Sequence, residues 1–187
     1  MRITTRTVLA CVFLAAIPAL ATAAEAPGAK VQNGAIRESD DAPGRPEPGR
    51  IYKFVFDMNT PHDMTLGVNP GLRALGELIM EYASHGVDAK HRSIVAVLHG
   101  HYAELALTDA GYGRLHVGDR NPALTQMHAL EDQGVVFTAP AKELSALGVG
   151  RTDIQPGVKP GARAEFVFLN LEAEGYVFDG TKSLISD

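Results

Sequence analysis

Tryptophan is absent from the 187 residues, and cysteine occurs once, as Cys11. A single thiol cannot close a disulfide within the chain, so a disulfide-stapled scaffold is excluded and a packed core must supply the stability. Positive charge is in deficit as well, with 17 Lys and Arg against 22 Asp and Glu. Nucleic-acid binding by counterion release needs clustered Lys and Arg, and no segment provides a cluster, so no nucleic acid is expected as a partner. The usual signatures are also missing. Gly111-Tyr112-Gly113 and Gly148-Val149-Gly150 each lack the third glycine of a dinucleotide loop, and there is no phosphate-binding P-loop, no serine nucleophile elbow and no His-Glu-x-x-His. No cofactor is expected on these grounds.

What is present is the composition of a globular domain, 45% hydrophobic and 21% charged. The first residues stand apart from it. Arg2 and Arg6 precede an apolar run from Val8 to Ile17, Pro18 breaks the run, and Ala21-Thr22-Ala23 offers a small-x-small cleavage pattern. Residues 1–23 therefore read as a secretory signal peptide, which predicts a secreted, periplasmic protein. The run is about half the ~20 residues that cross a bilayer, so no stable membrane anchor is expected. Val8-Leu9-Ala10-Cys11 loosely imitates a lipid-attachment box, but Cys11 stands early in the apolar run instead of closing it. Cleavage after Ala23 would discard the only thiol, together with two basic residues, leaving 15 basic against 22 acidic groups.

Residues 24–50 are rich in Pro and Gly and hold few large apolar residues besides Val31 and Ile36. Such a segment cannot bury enough surface to offset its ordering entropy, and a flexible arm is expected. The domain is predicted over 51–179, with a frayed tail at 180–187. Period-two alternation of Tyr52, Phe54, Phe56 and Met58 with Ile51, Lys53, Val55 and Asp57 marks a first strand. Asn69-Pro70 announces a helix with a buried face of Leu72, Leu75, Ile79, Met80 and Ala83, ended by Gly86. Ile94-Val95-Ala96-Val97-Leu98 reads as a strand buried on both faces, parallel to the first. Tyr102 to Gly118 reads as a short helix or irregular loop. Asn121-Pro122 repeats the helix-start device before Ala123, Met127 and Leu130. Val135 to Ala139 is a third strand of the fully buried type, stopped by Pro140, and 141–147 is a short helix. A Pro/Gly-rich connection over 155–161 precedes 164–174, which either alternates as a strand or winds as a helix; Gly175 as a cap favours the helix, with a last strand at Tyr176-Val177-Phe178.

Open α/β sheets bind ligands outside the carboxyl ends of their strands, and there His99-Gly100-His101 follows the central run. Two imidazoles two residues apart on extended backbone can share a face and bind one metal, but zinc needs further ligands, for which His62, Asp63, His116 and Asp119 are the candidates. On the plainer reading, His99 hydrogen-bonds a neighbouring loop and His101 is solvated. Asp57 could orient one imidazole in a general-base site, or cap a turn. Tyr102 and Tyr112 could shape a pocket rim or simply pack. His85, His91 and His128 read as solvated surface positions. The candidate ligand-binding residues are thus Asp57, Asn59, His99, Gly100 and His101; no catalytic residue is assigned and no metal is committed to.

The succession of Ile51 to Met58, Ser93 to Gly100, Asn121-Pro122 with Leu130, Gly134-Val135-Val136-Phe137, and Glu172-Ala173-Glu174-Gly175-Tyr176 resembles the DsrE-like proteins of the sulfur-relay and sulfur-oxidation group. The resemblance implies a three-layer αβα fold, α/β in class, with a mostly parallel sheet of about five strands, and homo-oligomers such as trimers or hexamers. In sulfur-relay members a cysteine near the end of the strand after the Gly-Val-x-Phe pattern carries a persulfide. The matching stretch here, Thr138 to Pro140, holds no thiol, so a cysteine-based sulfur carrier is not expected. The resulting expectation is a periplasmic binding or accessory module near sulfur-compound metabolism, with a small molecule or a protein as partner. The alternative is a histidine-based metal or small-molecule site, possessed by an enzyme, around His99 and His101.

Overall fold

A computed structural model describes residues 39, 42–59 and 69–178. The expected signal peptide, most of the arm, the loop carrying His62 and Asp63, and the tail lie outside the described residues. The alternating stretch forms β1 (Tyr52–Met58). After it α1 (Pro70–Ser84) starts as its sequence predicts, with Asn69 Oδ1 accepting the Leu72 N–H at 3.0 Å and proline in the first turn. Leu72, Leu75 and Ile79 are buried against the sheet, whereas Met80 and Ala83, expected on the same face, are exposed. Successive helical residues are 100° apart, so Met80 is carried past the stripe that Ile79 completes and turns toward α3. The end of the arm is not free. Glu47 donates its N–H to the Tyr52 hydroxyl at 2.8 Å, and Pro48 lies against Gly86, whose φ of +81° ends α1.

β2 (Arg92–Leu98) begins two residues before the apolar run. Arg92 is buried and donates from Nη1 to the Ile79 carbonyl at 2.8 Å, so the guanidinium satisfies an acceptor of α1 instead of reaching solvent. The weakly patterned stretch resolves into a 3-10 helix (Gly100–Ala106) and α2 (Asp109–Leu115), capped by Thr108. Gly111 sits where α2 crosses the backbone of Asp153; a Cβ there would stand 2.7 Å from the Asp153 carbonyl oxygen. The second Asn-Pro pair does not start a helix as the first one does. α3 (Leu124–Asp132) begins later, and Asn121 is buried, donating from Nδ2 to the carbonyls of Leu105 and Leu107 and accepting from the Ala123 N–H. Tertiary acceptors at the end of the 3-10 helix take the amide that the local pattern assigns to capping.

β3 (Val135–Pro140) and α4 (Ala141–Ala146) follow. Val136 is 38% exposed, so β3 is not buried on both faces. The Pro/Gly-rich connection contains a strand that its composition hides, β4 (Lys159–Gly161). It lies at the edge of the sheet, where a proline removes no ladder hydrogen bond on its outer side. The ambiguous segment is a helix, α5 (Ala164–Ala173), ended by Gly175 at φ +84° before β5 (Val177–Phe178).

The five strands form one all-parallel sheet in the order β4-β3-β2-β1-β5, with β2 at its centre. The three connections from β1 to β4 pack on one face, where Leu72, Leu75, Ile79, Met127, Leu130, Phe137 and their neighbours form the main core. Among the described residues only α5 lies on the other, its Ala164 buried with Val55 and Val97 and its Val167, Phe168 and Leu171 packed around them. The class is α/β in three layers.

Candidate functional site

Side chains two apart on a strand share a face. Asp57 therefore stands on the side of Val55, the α5 side, at the carboxyl end of β1. His99 is the residue after β2, and its N–H extends the ladder by donating to the Met58 carbonyl at 3.1 Å. The parallel register aligns Asp57 with Val97 and Met58 with Leu98, so the next residue of β2 brings its imidazole over the end of β1. There His99 Nε2 meets Asp57 Oδ1 at 2.6 Å, with both side chains 16% exposed. The Phe168 ring of α5 packs edge-on to the imidazole at 5.8 Å between centroids, and Phe178 of β5 lies 5.1 Å beyond it.

The turn after His99 is held from both sides. Gly100 has φ +58°, a conformation that side chains other than glycine's rarely adopt, and a Cβ there would come within 2.6 Å of Asn59 Oδ1. Its N–H donates to Glu143 Oε2 of α4 at 2.7 Å. The chain then enters the 3-10 helix at once. His101 is exposed and does not share an extended face with His99, so the paired-imidazole arrangement weighed for a metal does not form. Its reason is the left-handed turn at Gly100, which breaks the period-two alternation that the pairing assumed.

Of the candidates, then, Asp57, Asn59, His99 and Gly100 come together and His101 does not. Glu143, Phe168 and the α5 start join them, unforeseen in the sequence because they arrive from segments 43 or more positions away along the chain. Glu165, in the first turn of α5, is held below the usual carboxylate range chiefly by its own backbone N–H and then by Arg163, whose Nη2 stands 3.3 Å from it.

The remaining candidates lie elsewhere. His116 pairs with Glu104 at 2.7 Å and stacks on Tyr112 at 4.3 Å between centroids, while Asp119 is exposed. Among the described residues, no three His, Cys, Asp or Glu side chains converge as a metal site would require. His85 is not solvated as expected; its side chain is largely covered and bonds Glu81 at 3.0 Å. Tyr102 and Tyr112 are buried in the main core, and burial pushes both phenols up. Pro140, at the position the resemblance gives to a reactive cysteine, is buried at the end of β3 beside Gly161.

No family model matches the chain, and no curated protein matches it. Among solved structures it is similar to MTH1491, a protein of unknown function from Methanobacterium thermoautotrophicum, with a TM-score of 0.51 and 17% identity over 68% of this chain and 97% of that one. At that identity the likeness is one of fold, and it agrees with the α/β architecture described above.

Proposed function

We propose that the domain is a DsrE-like binding or accessory module, exported to the periplasm by its leader, that takes a small ligand at the carboxyl edge of its sheet on the α5 side, with His99 as the polar anchor. The observation that carries this reading is the Asp57–His99 contact, 2.6 Å long and mostly covered, built across the central strand and its neighbour β1 at the edge where open α/β sheets bind ligands. Sequestering a carboxylate and an imidazole from water costs desolvation that an apolar pair in the same place would not incur. Asp57 takes Nε2 and fixes the ring, leaving Nδ1 for a ligand; Phe168 and Phe178 supply an apolar wall. Sulfur carriage on a cysteine is not part of the reading, because Pro140 occupies the family's reactive position and Cys11, the only thiol, belongs to the expected leader.

The same pair supports a second reading. A carboxylate that orients an imidazole also makes a general base, which would make the protein an enzyme. Calorimetric titration with thiosulfate, sulfite and glutathione persulfide, with the His99 imidazole resonances of the unaltered protein and turnover followed alongside, tests both. Binding without turnover, weakened at least about tenfold by His99→Ala, is the expected result. Turnover that falls in His99→Ala would replace the binding reading with the enzymatic one, and a ring that none of the three perturbs would end both.

A further inference from the structure

Between α1 and α3, on the face of the sheet opposite α5, runs a groove of about 550 Å³. Its walls are apolar: Leu72, Ile79, Met80 and Ala83 come from α1, Ala129 and Leu130 from α3. Leu72, Ile79 and Leu130 belong to the main core, whereas Met80 is 71% exposed and Ala83 and Ala129 are exposed as well. The apolar stripe of α1 is thus wider than the chain itself covers. Gly76 opens onto the groove from the middle of the same helix. Glycine inside a helix is destabilising relative to alanine, and it is of use where a neighbour must approach the backbone. Gly71 and Gly111 have such neighbours, at 3.1 Å and 2.7 Å from where a Cβ would stand. At Gly76 a Cβ would meet only Leu130 Cδ2, 3.9 Å away, so among the described residues nothing uses the room above it.

The rim says what kind of molecule would. Its charges cancel, with Arg73 Nη1 and Glu77 Oε1 standing 3.3 Å apart, one turn along α1. Gln126 is engaged by the Asn69 backbone, accepting its N–H at 3.2 Å and donating to its carbonyl at 3.5 Å. Gln133, exposed at the end of α3, completes the polar lining. From Leu72 to Ala83 a helix rises about 17 Å, and the volume lies within the ~300–1,000 Å³ of small-molecule sites. Eleven residues line the groove, about half of the ~20–30 that a protein interface takes from each side. We infer that the groove is a second binding site, which takes the aliphatic chain of an uncharged molecule laid along α1 over Gly76. Met80, unbranched and adaptable, packs along that chain, and the Gln133 amide meets a hydroxyl or carbonyl at its end. The site lies across the sheet from His99, so neither depends on the other.

Calorimetric titration of the full chain with 1-octanol, octanoate and octylammonium, which share one chain and differ in charge, tests it. 1-Octanol is expected to saturate one site per chain, to move the Met80 methyl resonance, and to bind at least about tenfold more tightly than either ion. Gly76→Leu puts a side chain where the probe lies. It is expected to raise the melting midpoint, leucine being the better helix former, while weakening 1-octanol at least about tenfold. Met80→Glu, which sets a charge on the wall, weakens it likewise with the circular-dichroism spectrum unchanged. The absence of a saturable site, an ion that binds as tightly as the alcohol, or an affinity that both substitutions leave intact would overturn the inference. So would a chain that sediments as a dimer and becomes a monomer in Gly76→Leu, because the groove would then hold a second copy.

Discussion

The two faces of the sheet are unequal. Among the described residues, one is packed by α1, α2, α3, α4 and the intervening 3-10 helix around the larger core, while the other has α5 alone and a buried centre of Val55, Val97 and Ala164. The inequality follows from strand order. β1 to β4 step across the sheet in one direction, so their three connections stack on one side, and only the return from β4 to β5 crosses the other. The thick face supplies stability. Asp57, His99 and the exposed side chains of Val136, Phe166, Leu169 and Phe178 belong to the thin one, where packing consumes fewer groups.

The widest test of this contrast deletes a leucine from each side. Leu75→Ala, wholly buried on the thick face, is expected to cost about 2–5 kcal/mol in urea melts, the transfer term plus a cavity. Leu171→Ala, half-buried on the inner side of α5, should cost less than about 1.5 kcal/mol. Equal losses would break the comparison. A smaller effect is expected where α2 meets Asp153. Alanine in place of glycine in a helix gains up to about 1 kcal/mol of propensity, but at Gly111 the new Cβ would meet a backbone oxygen at 2.7 Å, which cannot swing away. Overpacking of about 1–3 kcal/mol should win, so Gly111→Ala lowers the melting midpoint.

The smallest expected effect is a pH dependence. Burial raises the folded-state pKa of Tyr102, with the hydrogen bonds to Asn69 and Gly71 opposing it. Below about pH 10 both folded and unfolded chains hold the phenolic proton, and the stabilising difference is intact. Above it the unfolded chain ionises first, so stability falls as pH rises. Tyr102→Phe should flatten that alkaline decline in urea melts. A decline of unchanged steepness would show that the thick face excludes water less well than its burial indicates.

Much of the fold was legible. The strands that became β1 and β2 announce themselves because a buried parallel strand must be apolar over its whole length or alternate where one face is less covered. The Asn69 cap was legible because its partner, the Leu72 N–H, is three residues away. Asn121 shows the limit: the same dipeptide signal led elsewhere because two carbonyls brought in by the 3-10 helix outcompeted the local amide. β4 was hidden because an edge strand has little to bury, so proline and glycine are tolerated in it. The candidate site was half legible. Asp57 and His99 could be placed at neighbouring strand ends, but their 2.6 Å contact depends on register, which no local pattern contains.

By itself the sequence determined the α/β class, the order of most elements and the impossibility of an intrachain disulfide, since these depend on local periodicity and on which side chains exist at all. Only the tertiary structure decided that His99 turns to Asp57 while His101 turns away, that Val136 meets water, and that Glu143 of α4 secures the turn at Gly100. Each of these is set by the direction in which crossovers accumulate and by contacts between distant segments, and local preferences carry no information about either.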